Sequence, residues 1–181
     1  MIVKHLVKHL SSMSRTFWLV PLRIFLGYTW LIEGIGKINE GWLQKPMLAG
    51  LADAVTSASV TETGEKVFRI VSDHTPGWYA WIAGNIVIPH ALFFQILIVV
   101  SEIGLGLAFI SGTFTFLSAL VALGLNLNFA LSTGLLPETW WMIPAAIAML
   151  CGAGRSFGLD HYLMPFLAKL WERYAQKKKA G

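Results

Sequence analysis

Three charged residues lie within one apolar stretch near the start of the chain. Arg23, Glu33 and Lys37 interrupt a run that is otherwise apolar enough to cross a membrane. On a helix turning about 100° per residue, they share one stripe with Trp30 and two glycines. A charged side chain facing lipid costs about 2–4 kcal/mol or more, so this stripe must face protein or a wet cavity. The sequence therefore predicts a spanning helix whose charged side chains pair with groups on neighbouring helices.

Glu102, in a second apolar run, is an acid that could pair with the basic residues of the first helix. Counting about 1.5 Å per residue from the expected helix ends, Arg23 and Glu102 both lie roughly 10 Å deep. We therefore predict that these two side chains pair inside the bundle. Such a pair could be a structural clamp that fixes the helix register, or it could belong to a site.

A second polar layer is expected in the other half of the membrane. It consists of Glu33, Lys37, His90, Asn126 and Asn128. Each has a purely structural interpretation as well. Glu33 and Lys37 are four residues apart and could simply pair on one helix. The two asparagines could hydrogen-bond between helices, and the histidine could be half solvated.

The composition is that of a membrane protein. The chain has 181 residues, of which 55% are hydrophobic and 13% charged, and its mean hydropathy is +0.61. These values are too apolar for an ordinary soluble domain. The basic residues cluster towards both ends, which is a topology signal rather than a nucleic-acid signal. Cys151 is the single cysteine, so a reductase working through paired cysteines within this chain is excluded.

The hydrophobic pattern predicts an all-α, polytopic four-helix bundle as a single domain over 1–181. The basic residues place both termini in the cytoplasm, and amphipathic helices are expected at both ends. A short amphipathic helix is also expected over 47–58. The predicted spans are 16–37, 82–110, 114–134 and 139–152, with an external loop over 38–80.

Motifs in three separated parts of the chain carry a family resemblance. They are Arg23, Gly27, Gly34 and Lys37 in the first helix, Ser101-Glu102-Ile103-Gly104 with Gly106 in the second, and Gly154-Arg155-Ser156 with Leu159-Asp160 after the fourth. Together they resemble the DoxX/DoxD family of small four-helix membrane proteins. Pro89-His90 and the tail from Gly158 to Tyr162 look closer to the DoxD-like branch, which includes the small subunit of thiosulfate:quinone oxidoreductase.

The resemblance implies a membrane subunit that passes electrons from thiosulfate or another sulfur or thiol donor to quinone. Glu102 or Glu33 would deliver protons, Arg23 or Lys37 would stabilise the reduced anion, and Trp30 would stack on the quinone ring. The remaining candidates for the quinone site are His90, Asn126, Arg155 and Asp160. No metal, heme or flavin motif is visible, so a redox role needs a diffusible quinone or a partner's cofactor.

The expected setting is a bacterial or archaeal inner membrane, crossed several times. Lipid, a partner redox subunit and a second copy of the chain are the expected partners, and nucleic acid is not. The alternative function is a non-catalytic anchor or scaffold that recruits a redox enzyme. A small transporter is a weaker third interpretation, since no repeat or continuous polar path is evident.

Overall fold

The structure is a computed structural model, and it describes residues 17–51, 58–60, 66–132 and 139–180. The expected amphipathic N-terminal helix lies outside these residues. The described helices are α1 Val20–Asn39, α2 Gly77–Ile82, α3 Ala91–Ser111, α4 Thr115–Ser132, α5 Met142–Met149 and α6 Asp160–Ala180. The strands are β1 Leu48–Leu51, β2 Ala58–Val60 and β3 Lys66–Val71.

The predicted helical class and membrane character are confirmed. Three helical stretches are long and apolar enough to span a membrane, namely Phe17–Asn39, Gly77–Ser111 and Thr115–Ser132. The predicted fourth span over 139–152 differs from what is found. Here α5 has only 8 residues, which is about 12 Å of helix against the roughly 30 Å of a bilayer core.

The chain nevertheless travels the length of the bundle a fourth time. At one end, the carbonyl of Ser132 accepts hydrogen bonds from Ser72 and Thr75, which precede α2. At the other end, the backbone N–H of Leu159 donates to Ser111, the last residue of α3. Ser132 and Leu159 therefore lie at opposite ends of the bundle, and among residues 139–159 the one regular α-helix is α5.

The closest helix contact joins α1 to α3, and glycines make it possible. A Cβ placed on Gly27 would lie 2.9 Å from the carbonyl oxygen of Gly106, and one on Gly106 would lie 2.7 Å from the Cβ of Leu31. A Cβ on Gly34 would lie 2.8 Å from a side-chain carbon of Ile103. Spanning helices gain no hydrophobic driving force from one another, so close backbone contact of this kind holds them together. The three contacts fix the register of α1 against α3.

The stretch Gly77–Ser111 is bent rather than straight. A straight helix would place Tyr79 about 48 Å from Ser111, whereas Asn128 is only about 20 Å along α4 from Thr115. Yet the Tyr79 hydroxyl donates to Asn128 Oδ1 at 2.6 Å. The bend lies between α2 and α3, where a π-helical turn and a 3₁₀ turn end at His90, whose backbone is not helical. The predicted span over 82–110 therefore divides, and α3 is its continuous part.

The two described ends of the amphipathic helix expected over 47–58 belong to strands of a small sheet, and residues 52–57 lie outside the described residues. β1 pairs in parallel with β3, and β2 pairs antiparallel to the other edge of β3. β3 is rich in β-branched residues, which favours a strand. The ring of Trp42 lies 4.8 Å from that of Phe68 in β3, so the sheet is tied to the chain that follows α1.

The contact between α1 and α3 leads to a stability prediction. Gly106→Ala forces a methyl group against the backbone of Leu31, so we expect overpacking to cost about 1–3 kcal/mol. Gly104→Ala is the matched control, because nothing lies within 4 Å of its added methyl. The control should be neutral or gain up to about 1 kcal/mol in helix propensity. Thermal unfolding in detergent checks both variants, and equal stability of the two would contradict the packing described.

Candidate functional site

Arg23 is buried where the end of α3 meets the segment after α5. Its Nη1 donates to the carbonyls of Ala153 at 2.9 Å and Ser156 at 3.1 Å. Its Nη2 donates to the carbonyl of Phe157 at 3.1 Å. The guanidinium therefore satisfies three carbonyls of a segment that is not a regular α-helix. Buried carbonyls need such partners, and bonds to a charged donor are the stronger kind.

Asp160 fixes the same segment from the other side. Its Oδ1 and Oδ2 accept from the backbone N–H groups of Phe114 at 2.6 Å and Thr115 at 2.8 Å, at the start of α4. A carboxylate at this position accepts hydrogen bonds from N–H groups that have no partner within the helix, and it is stabilised by the positive end of the helix dipole. The backbone N–H of Asp160 also donates to the carbonyl of Gly112 at 2.9 Å. We call Arg23, Asp160 and segment 153–157 the Arg23 clamp.

Glycines line the clamp because there is no room for a side chain. Gly112 has φ +68°, and a Cβ on it would lie 2.5 Å from Arg23 Nη1. A Cβ on Gly154 would collide with Thr115 Oγ1 and Asp160 Oδ2, and one on Gly158 with the carbonyl of Gly154. The glycines therefore allow three chain segments to meet around one guanidinium.

The predicted pair of Arg23 with Glu102 is wrong. Glu102 lies opposite Gly34, whose added Cβ would be 3.3 Å from the Cβ of Glu102. Arg23 and Gly34 are about 16 Å apart along α1. The prediction assumed that the ends of the two helices are level. The glycine contacts instead set Arg23 beside Gly112, at the very end of α3.

The partner of Glu102 is Lys37. Lys37 Nζ lies 2.8 Å from Glu102 Oε1 and 3.9 Å from Glu33 Oε2. The side chains are 1% exposed for Glu102, 17% for Lys37 and 53% for Glu33. These three residues, the Glu102 cluster, thus lead stepwise from the protein interior to its surface. The predicted i to i+4 contact of Glu33 with Lys37 is present, but the shorter bond is the one between helices.

The other carboxylate oxygen of Glu102 is buried without a hydrogen-bond partner among the described residues. The side-chain nitrogens of Trp30 and Asn126 share this property. By helix rise, Glu102 and Asn126 lie within about 3 Å of the same depth, measured from the turn between α3 and α4. Trp30 is one turn, about 6 Å, from Gly34. Trp30 lies on the side of Gly34 towards that turn, so one acceptor and two donors are buried on three helices of the bundle within about 9 Å of one another in depth.

Two further buried atoms without a described partner belong to the clamp instead. They are Arg23 Nε and Thr115 Oγ1. Buried polar groups without partners are uncommon and call for an explanation at each position. In the clamp, the remaining polar atoms of Arg23 and the backbone of Thr115 are engaged by the fold. At Glu102 the fold engages one oxygen and leaves the other.

Gln95 was missed by sequence reasoning, although it is fully buried. Its Oε1 accepts from the backbone N–H of Met47 at 2.7 Å, and its Nε2 donates to the carbonyls of Trp42 at 3.0 Å and Lys45 at 3.1 Å. It thus holds residues 42–48, the strap, against α3. The strap reaches the cluster, because Lys37 Nζ lies 5.6 Å from the centre of the Trp42 ring. Its position seven residues before Glu102, on the same helix face, was a usable signal.

The comparisons with known proteins identify the family of the chain. The family described as "TQO small subunit DoxD" matches residues 18–177, which is most of the chain. The chain belongs to the DoxD family. No curated protein and no solved structure matched it. The predicted family resemblance is therefore confirmed, and both polar clusters lie within the matched part.

The other predicted site residues of this DoxD protein lie apart from the Glu102 cluster. The His90 ring is exposed and its Nδ1 lies 3.0 Å from the carbonyl of Ile86, one turn earlier. Asn128 accepts from Tyr79 and so joins α4 to α2. The backbone of Arg155 belongs to a 3₁₀ turn in the clamp, and its side chain lies outside what is described.

The division into two clusters predicts which pairs of residues are energetically coupled. Lys37→Met and Glu102→Gln should show a coupling energy of about 0.5–3 kcal/mol, because the two side chains are in contact. Arg23→Lys and Glu102→Gln should be additive within about 0.5 kcal/mol, because the residues share no partner. Thermal unfolding of the single and double variants in detergent measures both cycles. Strong coupling of Arg23 to Glu102 would restore the pairing rejected above.

Proposed function

We propose that this DoxD chain is a quinone-linked membrane subunit of an oxidoreductase, and that its quinone site is built around Glu102. The observation that carries the proposal is the free Oε2 of Glu102, a residue that is 1% exposed in the bundle. Isolated buried carboxylates are costly, and in membrane spans they mark proton and substrate sites far more often than lipid contacts. Lys37 compensates the charge, and the second oxygen remains available for a ligand.

The residues present fit a quinone. A bound quinone takes up two electrons and two protons. The N–H groups of Trp30 and Asn126 are donors suited to its oxygen atoms, and Glu102 is suited to accept or donate a proton there. The ammonium of Lys37, 2.8 Å from Glu102, favours negative charge in the site. Trp30 was expected to stack on the ring, but it is 1% exposed and packed in the core, and its N–H has no described partner, so the N–H is the better candidate contact.

The Glu102 cluster also supplies a way for protons to reach the interior. Exposure rises from Glu102 through Lys37 to Glu33, so Glu33 is the member closest to solvent. The strap held by Gln95 packs Trp42 beside Lys37. We propose that the strap limits water at the buried end of the cluster, which strengthens the electrostatic interactions there. Lys37 would also attract an anionic donor such as thiosulfate to this side.

An apolar groove of about 280 Å³ between α3 and α4 suits the hydrocarbon tail of a quinone. Its lining includes Gly104, Ala108, Leu117 and Val121, and also Ser101, the neighbour of Glu102 in the chain. The tail would leave through this groove towards lipid while the head group stays inside the bundle.

We further propose that the chain is a multi-pass protein of a bacterial or archaeal inner membrane with both termini in the cytoplasm. The basic α6 end and the strap end lie at opposite ends of α3, as that topology requires. The Glu102 cluster then lies towards the external face. Arg23 and Asp160 have a structural role in this proposal, because their described contacts hold chain segments together.

The test is quinone reduction by membranes carrying the protein with its native partners, using thiosulfate as donor. Glu102→Gln should lower turnover by about 10²–10⁴-fold, the usual contribution of a positioned acid or base. Glu172→Gln is the matched control, since that exposed carboxylate lies on α6 outside the cluster and should leave turnover unchanged. Quinone that co-purifies with the protein should be measured alongside. Unchanged turnover in Glu102→Gln would remove this residue from the mechanism.

The second candidate function is a non-catalytic anchor for a redox enzyme. The Arg23 clamp favours it, since motif residues that the family resemblance assigned to a site serve packing there. Mass spectrometry after mild detergent extraction should then show a stoichiometric partner and no bound quinone. Bound quinone that is lost from Lys37→Met would instead support the first function.

A further inference from the structure

The C-terminal helix α6 leaves the bundle at the clamp. Its first residue, Asp160, is bonded to Gly112, Phe114 and Thr115. The helix has 21 residues and ends at Ala180. Between His161 and Gln176 none of its side chains is buried. The helix is thus firmly attached at one end and has an open surface along its length.

Six large apolar side chains of α6 form one stripe, and Tyr162 and Met164 lie just outside its two borders. At 100° per residue these six occupy an arc of about 140°, which is the pattern of a helix with one buried face. The opposite face carries Glu172 and Gln176, and Lys169 and Arg173 lie nearer the border of the stripe. Large apolar groups are strongly exposed, with Trp171 at 72% and Tyr174 at 65%. The members of the stripe are Leu163, Phe166, Leu167, Leu170, Trp171 and Tyr174.

We propose that α6 lies flat in the headgroup region of an anionic bilayer. Its apolar stripe then rests on the acyl chains, and Lys169 and Arg173 meet lipid phosphates. Tryptophan and tyrosine prefer this region, because their rings are apolar and their N–H or O–H groups are polar. The stripe would bury about 5–10 Å deep, as for other interfacial helices.

The position of α6 favours lipid as its occupant. The turn that anchors α6 joins α3 to α4, and both lie in stretches long and apolar enough to span a membrane. We therefore place the start of α6 at a membrane surface. The same end exposes Trp18, Phe114 and Phe157, the last at 81%. These side chains and the stripe can therefore share one interfacial layer.

The charge of α6 points to anionic rather than neutral lipid. After Asp160 the chain carries five lysines or arginines and a single acid, Glu172. Basic residues next to a span are attracted to anionic headgroups, each contributing to binding in a salt-dependent way. The proposal does not depend on quinone chemistry, so it holds for either function discussed above.

The experiment places one fluorescent label on each face of α6 in the full-length protein. Cys151→Ser removes the native thiol, and Leu170→Cys or Gln176→Cys then carries an environment-sensitive dye. The protein is reconstituted in nanodiscs of phosphatidylglycerol or of phosphatidylcholine alone. In the anionic discs we expect the dye at 170 to be blue-shifted and several-fold less quenched by aqueous iodide or acrylamide than the dye at 176. Equal quenching at the two positions would overturn the proposal.

The charge requirement has its own variant. Lys169→Gln with Arg173→Gln should reduce the shielding at 170 in anionic discs towards the level found in phosphatidylcholine. Equal shielding in the two lipids for the parent protein would contradict recognition of anionic headgroups. A dye at 170 that is exposed in all discs but shielded in native membranes would show that a protein partner covers this face, and would also overturn the proposal. The substituted side chains are exposed, so the bundle should unfold at an unchanged temperature.

Discussion

The close contact between α1 and α3 determines where Arg23, Lys37 and Glu102 lie in the bundle. Gly27, Gly34 and Gly106 bring the two backbones together, and no other residue type allows that distance. Helices in a membrane associate through such packing rather than through exclusion of water. The contact sets the register. It brings Arg23 to the end of α3 and Lys37 to Glu102, so both polar clusters depend on it.

The two buried charges differ in how fully the fold satisfies them. The guanidinium of Arg23 binds three carbonyls, and Asp160 binds two N–H groups of the adjacent helix start. The bonds from Arg23 take the place of the backbone hydrogen bonds that a regular α-helix would give segment 153–157. Glu102 has one ionic partner and one free oxygen. Arg23 has one nitrogen, Nε, without a described partner while its other two bind the fold, whereas Glu102 has one of its two oxygens free. A buried group with half of its bonding capacity unused is suited to a ligand.

The strap joins the part of the chain outside the bundle to its interior. Gln95 in α3 replaces the regular backbone partners of Met47, Trp42 and Lys45, and Trp42 extends from the strap to Lys37 and Phe68. A buried amide with both ends bonded rigidifies its surroundings. The surroundings of the Glu102 cluster are therefore shaped by residues from α1, α3 and the strap together, and the small sheet packs behind them.

The sequence by itself determined the helical membrane class, the family, and the stripe of α1 that carries the charges. These follow from composition, from local periodicity and from motifs, all of which can be read along one helix at a time. It did not determine which charged side chains pair with one another. The pairing of Arg23 with Glu102 was predicted from depth alone, and depth requires knowing which helix ends are level. That is set by glycine contacts between helices. In place of the fourth predicted span the structure has the short helix α5, and residues 48–51 form a strand. Neither could be predicted, because strand pairing and helix caps depend on residues distant in the chain. Only the tertiary structure decided that Glu102 pairs with Lys37. The hydrophobic pattern allows two helices to pack in many registers, whereas the close backbone contact at the glycines allows one.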